Sequence, residues 1–175
     1  MNSLDIPDNV NIEIKDNTVS VKGSLGTNTR QYNDSLLEVK KEGNKLIVKA
    51  KEGNKQLLKK GKMAENSFLK ELKNDINGVN KYFEINMQVV FAHFPITIEV
   101  KNDKVYIKNI IGERAPRESQ IVGNCKVEVK GQNVKVYGTK LDDVSQTAAN
   151  LKKACKIRKK DERTFQDGVY RVDNV

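Results

Sequence analysis

Hydrophobic and polar residues alternate in several short stretches of the chain, with the two-residue period of a half-buried β-strand. One stretch covers residues 10–14 and, after Asp16-Asn17, the alternation resumes at residues 18–22. Similar pairs of stretches flank Gly43-Asn44, Asn102-Asp103 and Gly131. Each pair with its short polar or glycine break predicts an antiparallel hairpin.

Two longer segments have a helical period instead. The first, Lys55 to Ile76, places apolar residues on one stripe: Leu58, Met63 or Ala64, Phe68, Leu72 and Ile76. The second, Leu141 to Ile157, places Val144, Ala148, Leu151 and Cys155 on one face. Two aspartates at the start of the second segment suit the positive end of a helix dipole. We therefore expect two helices.

An internal repeat joins these elements into two copies of one plan. IEIKDNTVSVKGSLG at 12–26 and IEVKNDKVYIKNIIG at 98–112 share six of fifteen residues. The order hairpin, connecting segment, hairpin, helix therefore occurs twice. We predict an α+β fold of two tandem homologous domains, residues 1–81 and 82–175, each a small antiparallel-rich sheet packed against one helix. Equivalent repeat residues should face inward in both copies: Ile12, Ile14, Val19 and Val21, and Ile98, Val100, Val105 and Ile107.

The chain is basic, with 32 Lys and Arg against 23 Asp and Glu and a net charge of +9. Such a balance favours a polyanionic partner, because cations release the counterions condensed on phosphates. The alternative is a solvated surface rich in Lys. Cys125 and Cys155 lack metal-ligand spacing, so we expect reduced thiols. No long apolar run and no leader pattern is visible, so we expect an intracellular protein that does not enter a membrane.

The strongest charge cluster lies in the tail KKACKIRKKDER, residues 152–163, which holds seven basic and two acidic groups. We predict that the end of the second helix carries this cluster over about three turns and that the cations contact RNA phosphates. The candidate RNA-binding residues here are Lys152, Lys153, Lys156, Arg158, Lys159, Lys160 and Arg163. The alternative is a merely solvated helix face.

A second candidate is the segment GERAPRESQ, residues 112–120, which we expect to be a long loop between strands. Arg114 and Arg117 present planar guanidinium groups that match phosphate geometry. An ion-pair network with Glu113 and Glu118 is the alternative.

The sequence offers no constellation that an enzyme needs. His93 is the only histidine, and we interpret it as a strand-end residue held by backbone contacts rather than a general base. There is no glycine-rich phosphate loop, paired-carboxylate motif or Cys/His cluster. We therefore expect no catalysis, no cofactor, no metal and no small-molecule substrate.

Four stretches together resemble large-subunit ribosomal protein six of the universal nomenclature (nine in older eukaryotic usage). They are IPDNVNIEIKDNTVSVKGSLGT at 6–27, FAHFPI at 91–96, VSQTAANL at 144–151 and DERTFQDGVY at 161–170. The match runs over almost the whole chain, and its ending is similar to the archaeal and eukaryotic branch. The abundance of Lys and Asn leads us to the hypothesis of a reduced, A+T-rich eukaryotic genome.

The resemblance implies a structural constituent of the cytoplasmic ribosome that supports translation. It implies binding to large-subunit rRNA near the sarcin–ricin loop and the stalk base, through the second domain and tail, beside neighbouring ribosomal proteins. The alternative is a non-ribosomal interaction module built from the same duplicated domain.

Overall fold

The computed structural model describes residues 2–51, 53–158, 160–161 and 163–172. The chain forms two compact units, Met1–Tyr82 and Phe83–Val175. Within the described residues each unit combines antiparallel sheets with one long helix, so the predicted α+β class is confirmed. None of the described helices is long and apolar enough to cross a membrane.

Unit 1 contains six strands followed by a helix. They are β1 (Asn2–Asp5), β2 (Asn11–Lys15), β3 (Thr18–Gly23), β4 (Gly26–Gln31), β5 (Leu37–Glu42), β6 (Lys45–Ala50) and α1 (Lys55–Asn80). Among the described residues the strands form two three-stranded sheets, β2-β3-β4 and β1-β6-β5. The strands therefore form two small sheets where one was expected, because β4 extends the first hairpin and the second hairpin pairs with β1.

The first hairpin turns at the Asp16-Asn17 pair that the pattern indicated. Both residues have positive φ, 38° and 61°, as a two-residue type I′ turn requires. Ile12 therefore pairs with Val21 and Ile14 with Val19, so all four side chains share one face of the sheet. Ile14 is half-buried and the other three are buried in the core of unit 1.

Helix α1 begins where the period predicted and extends one turn further, to Asn80. Its buried stripe continues from Phe68 through Leu72 and Ile76 to Val79. Met63 is 67% exposed, so the half-buried position on this stripe belongs to Ala64.

Unit 2 repeats this plan with one added strand. Its elements are β7 (Phe83–Val90), β8 (Thr97–Lys101), β9 (Lys104–Lys108), a 3-10 turn (Ile110–Gly112), β10 (Arg117–Gln120), β11 (Lys126–Lys130), β12 (Asn133–Gly138), α2 (Leu141–Cys155) and β13 (Gly168–Arg171). The described strands form the sheets β8-β9-β10 and β11-β12-β7-β13. The first matches β2-β3-β4, and the second matches β5-β6-β1 with β13 added beside β7.

The repeated hairpin keeps the register of the first. Ile98 pairs with Ile107 and Val100 with Val105, the positions equivalent to those in unit 1. Three of these side chains are buried, but Val100 is 38% exposed. Val100 lies on the same face as its buried partner Val105, as predicted, but it is not enclosed, because it lies in the last pair but one before the turn, at the outer end of the hairpin.

Candidate RNA interface

Helix α2 ends before most of the basic tail begins. Its buried face places Val144, Leu151 and Cys155 in the core of unit 2. The helix stops at Cys155, and the backbone of Lys156 is no longer helical (φ −59°, ψ 124°). Only Lys152 and Lys153 therefore lie in the last helical turn. The expectation of a helical cluster over three turns was wrong: the later cations that the structure describes, Lys156, Arg158, Lys160 and Arg163, lie outside the helix.

Arg117 fastens the end of this helix. One guanidinium nitrogen, Nη1, donates to the backbone carbonyls of Ala154 and Lys156, both at 3.0 Å. Ala154 lies in the last turn of the helix, where a carbonyl has no backbone N–H four residues ahead, and an arginine is well suited to satisfy it. Arg117 is the first residue of β10, not a loop residue as predicted, so it joins that strand to the end of α2.

Glu113 holds the same guanidinium in place. Nε of Arg117 donates to Oε2 of Glu113 at 2.7 Å, and Nη2 donates to Oε1 at 2.5 Å. These hydrogen bonds lower the pKa of Glu113 and raise the pKa of Arg117. The alternative of an Arg–Glu network is therefore present for Glu113, whereas Glu118 pairs with Lys104 at 2.8 Å.

An open cleft of about 840 Å³ lies between β10, the end of α2 and the segment that follows it. Arg117 lies among its lining residues, together with the cations Lys153, Lys156, Arg158 and Lys160. Its two carboxylates, Glu113 and Glu118, are already in ion pairs with Arg117 and Lys104. We name this set of residues the basic cleft.

Ser119 also lines the basic cleft and is 4% exposed. Its Oγ has no hydrogen-bond partner among the described residues. A buried hydroxyl without a partner is costly, and a ligand oxygen or a water would relieve that cost.

The remaining predicted residues do not line the cleft. Arg114 and Arg163 are exposed elsewhere on unit 2, and Lys152 lies on the other side of α2, toward β13. Lys159 lies outside the described residues. The fold therefore brings five of the predicted residues together and leaves three described ones apart.

Two of the quoted sequence stretches meet at β13. Strands β7 and β13 pair from Val90–Gly168 to Met87–Arg171. The buried carboxylate of Asp167 then accepts a hydrogen bond from the backbone N–H of Ala92 at 2.8 Å. His93, next to it, is exposed in a bend, so the expectation of a backbone-held strand-end histidine was wrong.

The sequence interpretation assigned no role to Phe165 and Tyr170, which flank Asp167. Both rings are partly exposed, 37% and 39%, and Nζ of Lys160 lies 4.5 Å from the centre of the Phe165 ring. Aromatic residues directly after a run of cations are the signal that would have indicated them.

The two cysteines do not form a disulfide. Both are free, as expected, and the described residues contain no group of three or more potential metal ligands. Burial raises the pKa of Cys155 to about 11 and also raises that of Cys125.

Comparison with known proteins reveals close relatives. The family model described as ribosomal protein L6 matches residues 94–168, which include β10 and α2. Large ribosomal subunit protein uL6 of Methanobrevibacter smithii is 38% identical over 172 residues, which are 97% of this chain and 93% of the relative. The uL6 protein of Methanothrix thermoacetophila is 40% identical over 170 residues, covering 97% and 94%. That of Archaeoglobus fulgidus is 50% identical over 99 residues, covering 57% and 50%.

These relatives are archaeal, so they support the archaeal side of the predicted branch and give no support to the hypothesis of a reduced eukaryotic genome. Two of them align with this chain over nearly the full length of both sequences, and their sequence identities of 38% and 40% are high enough to show membership of the same family. The chain belongs to the large ribosomal subunit protein uL6 family, in its archaeal type.

Proposed function

We propose that this chain is a structural constituent of the large ribosomal subunit that supports translation by binding rRNA through unit 2. Residues 1–81 act as an N-terminal α+β domain, and residues 82–175 act as the C-terminal domain with the basic rRNA-binding tail. Family membership supports the ribosomal role. The position near the sarcin–ricin loop and the stalk base, among neighbouring ribosomal proteins in the cytoplasm, is supported by the family resemblance.

The basic cleft is the observation that carries the RNA-binding proposal. Lys153, Arg158 and Lys160 are exposed there, and the lining carboxylates are held by other cations. Phosphates along an RNA backbone would replace the mutual repulsion of these cations with attraction and would release counterions. Such contacts position the protein without reading sequence.

Arg117 acts mainly as a positioning residue in this proposal. Four of its N–H groups are used by Glu113, Ala154 and Lys156. By fixing the end of α2 to β10 it orders the backbone that carries Lys156 and leads to Arg158. A rigid support lowers the entropic cost of binding.

Two charge variants test the proposal. One, the tail variant, changes four exposed cations of the tail that line the basic cleft to Gln: Lys153, Lys156, Arg158 and Lys160. The matched control changes four exposed lysines at the start of α1 to Gln: Lys55, Lys59, Lys60 and Lys62. We expect the tail variant to bind archaeal large-subunit rRNA with a log–log salt slope lower by about 3, since each lost phosphate contact removes about 0.7–0.9. The α1 control variant should keep most of the salt slope of the unmodified chain.

Equal slopes for the two variants would overturn the assignment of the tail as the anchor. Hydroxyl-radical footprinting of the same rRNA tests the location. Protection near the sarcin–ricin loop and the stalk base is expected, and protection confined to other regions would contradict the proposed position.

A further inference from the structure

A second pocket lies on the opposite side of the segment that lines the basic cleft. It has a volume of about 400 Å³ and lies between α2 and β13. Lys153, Lys156 and Ile157 line both cavities. We call it the α2–β13 pocket.

The inner wall of this pocket is apolar and its sides are aromatic. Cys155, Ile157 and Val169 are buried there. Phe165 and Tyr170 contribute two partly exposed rings to the lining. The Tyr170 ring lies close over Gly168, where an added Cβ would be 3.3 Å from its Cε2 atom. The pocket therefore offers flat, apolar surface next to water, which a planar ring system would cover.

The charges of the pocket point to an occupant with both a planar ring and a phosphate. Lys152 and Lys153 are exposed cations in its lining. Asp167 is the carboxylate in the lining, 7% exposed, and its Oδ1 accepts from the N–H of Ala92. Acidic side chains carry no donor for this carboxylate, whereas the N–H edge of a base is a suitable one and the lining lysines suit its phosphate.

We infer that the α2–β13 pocket holds one unstacked nucleotide of the RNA whose backbone crosses the basic cleft. The base lies against Phe165 or Tyr170 with an N–H edge toward Asp167, and its phosphate lies toward Lys152 and Lys153. Bases of a regular A-form duplex stay stacked and paired, so the bound RNA must present a loop or a bulge here. This inference rests on the proposed function and adds the class of RNA to it.

Aromatic substitutions separate base stacking from charge. Tyr170→Leu and Phe165→Leu keep apolar bulk and remove a ring, and Phe94→Leu is the matched control, since Phe94 is 42% exposed in the same unit and lies outside both cavities. Stacking on one ring contributes about 1–3 kcal/mol per base, so at least one pocket variant should bind large-subunit rRNA about 5- to 150-fold more weakly. The salt slope should stay as in the unmodified chain, and Phe94→Leu should have little effect.

A second measurement uses the unmodified full chain and does not depend on the folding of variants. Amide NMR signals are followed during titration with GMP, AMP, CMP and UMP, and with ribose 5-phosphate, which has the phosphate but no base. We expect at least one nucleotide to shift the signals of residues 168–170 and ribose 5-phosphate to leave them in place.

The outcomes distinguish the two proposals. If both pocket variants bind rRNA normally while the tail variant loses its salt slope, the nucleotide pocket is wrong and the proposed function stands. Identical shifts from ribose 5-phosphate and all four nucleotides would also overturn the pocket. If the unmodified chain shows no salt-dependent rRNA binding, the proposed function and the inference that rests on it both fall.

Discussion

Arg30 and Asp75 form an ion pair that is almost closed to solvent. Nε of Arg30 donates to Oδ2 of Asp75 at 2.6 Å and Nη2 donates to Oδ1 at 3.1 Å, while Nη1 reaches Glu71 at 2.8 Å. The Asp75 side chain is 2% exposed. Arg30 therefore counts toward the net charge of the chain but is committed to joining β4 to α1. The net charge of the chain therefore overstates the number of cations that are available to a partner.

Removal of one member of this pair should be costly. Asp75→Ala leaves the half-satisfied Arg30 guanidinium enclosed, and we expect the free energy of unfolding to fall by about 3 kcal/mol or more. The double change Arg30→Met with Asp75→Leu should recover much of that loss. Urea denaturation measures both. The control is Asp34→Ala, which breaks the exposed pair with Lys51 and should cost at most about 1 kcal/mol. Equal losses for Asp75→Ala and Asp34→Ala would contradict the enclosed pair.

The element that matters most for the site is the end of α2. Arg117 lies 37 residues before Ala154 in sequence, yet it donates to the Ala154 carbonyl. The helix ends there because its last carbonyls find a side-chain donor and the chain turns outward toward Arg158. The basic cleft depends on this helix end. If the helix continued, Lys156 and Arg158 would point in different directions around the helix axis and would not both line the cleft.

Arg117→Lys should weaken this junction, since an ammonium group cannot reproduce the planar fork. We expect the free energy of unfolding to fall by about 1–3 kcal/mol at neutral pH, and Arg114→Lys, an exposed control, should change little. The stabilisation that comes from the hydrogen bonds between Arg117 and Glu113 depends on pH. The pKa of Glu113 is lowered from 4.5, so its contribution is complete above 4.5 and disappears as the pH falls through the lower, folded-state pKa.

Thermal denaturation at pH 7 and pH 3 measures this difference. The gap between the unmodified chain and Arg117→Lys should narrow at pH 3 but not close, because the bonds to the two carbonyls remain. If Arg117→Lys lowers rRNA affinity without any loss of stability, Arg117 contacts phosphate directly and its positioning role is wrong.

The sequence predicts the elements of this fold better than their contacts. The Asp16-Asn17 turn and the Phe68–Leu72–Ile76 stripe follow from local period and turn chemistry, which act within a few residues. The partners of Arg117, the pairing of β1 with β6 and the place of β13 beside β7 depend on segments far apart in the chain. The candidate site follows the same rule. The sequence shows where the cations are along the chain, but the residue at which α2 ends decides which cavity each cation lines.

On the scale of the whole molecule, the two units share a strand order but differ in what they expose. Unit 2 carries the added strand β13 and both cavities described above. Unit 1 has a similar net charge, and its cations are spread along its strands and helix. The two units therefore match in strand order, and β13 and the basic tail distinguish the second.

Sucrose-gradient fractionation of a cell extract tests the function of the whole molecule. A ribosomal constituent should migrate with large subunits and with intact ribosomes, and it should remain there in moderate salt. The tail variant should shift toward the top of the gradient at lower salt than the α1 control variant, because it has lost phosphate contacts. An unmodified chain found only at the top of the gradient would favour the alternative of a non-ribosomal interaction module.

The pairing of β13 with β7 also affects how the chain folds during its own synthesis. All described elements of unit 1 are complete once Asn80 has been made, so that unit can fold while translation continues. In unit 2, the strand at the start, β7, lacks one neighbour until residues 168–171 have been added. At about 5–20 residues per second, that interval lasts roughly 4–18 s. Throughout it at least one edge of β7 is unpaired, and the basic tail, residues 152–163, is completed only near its end.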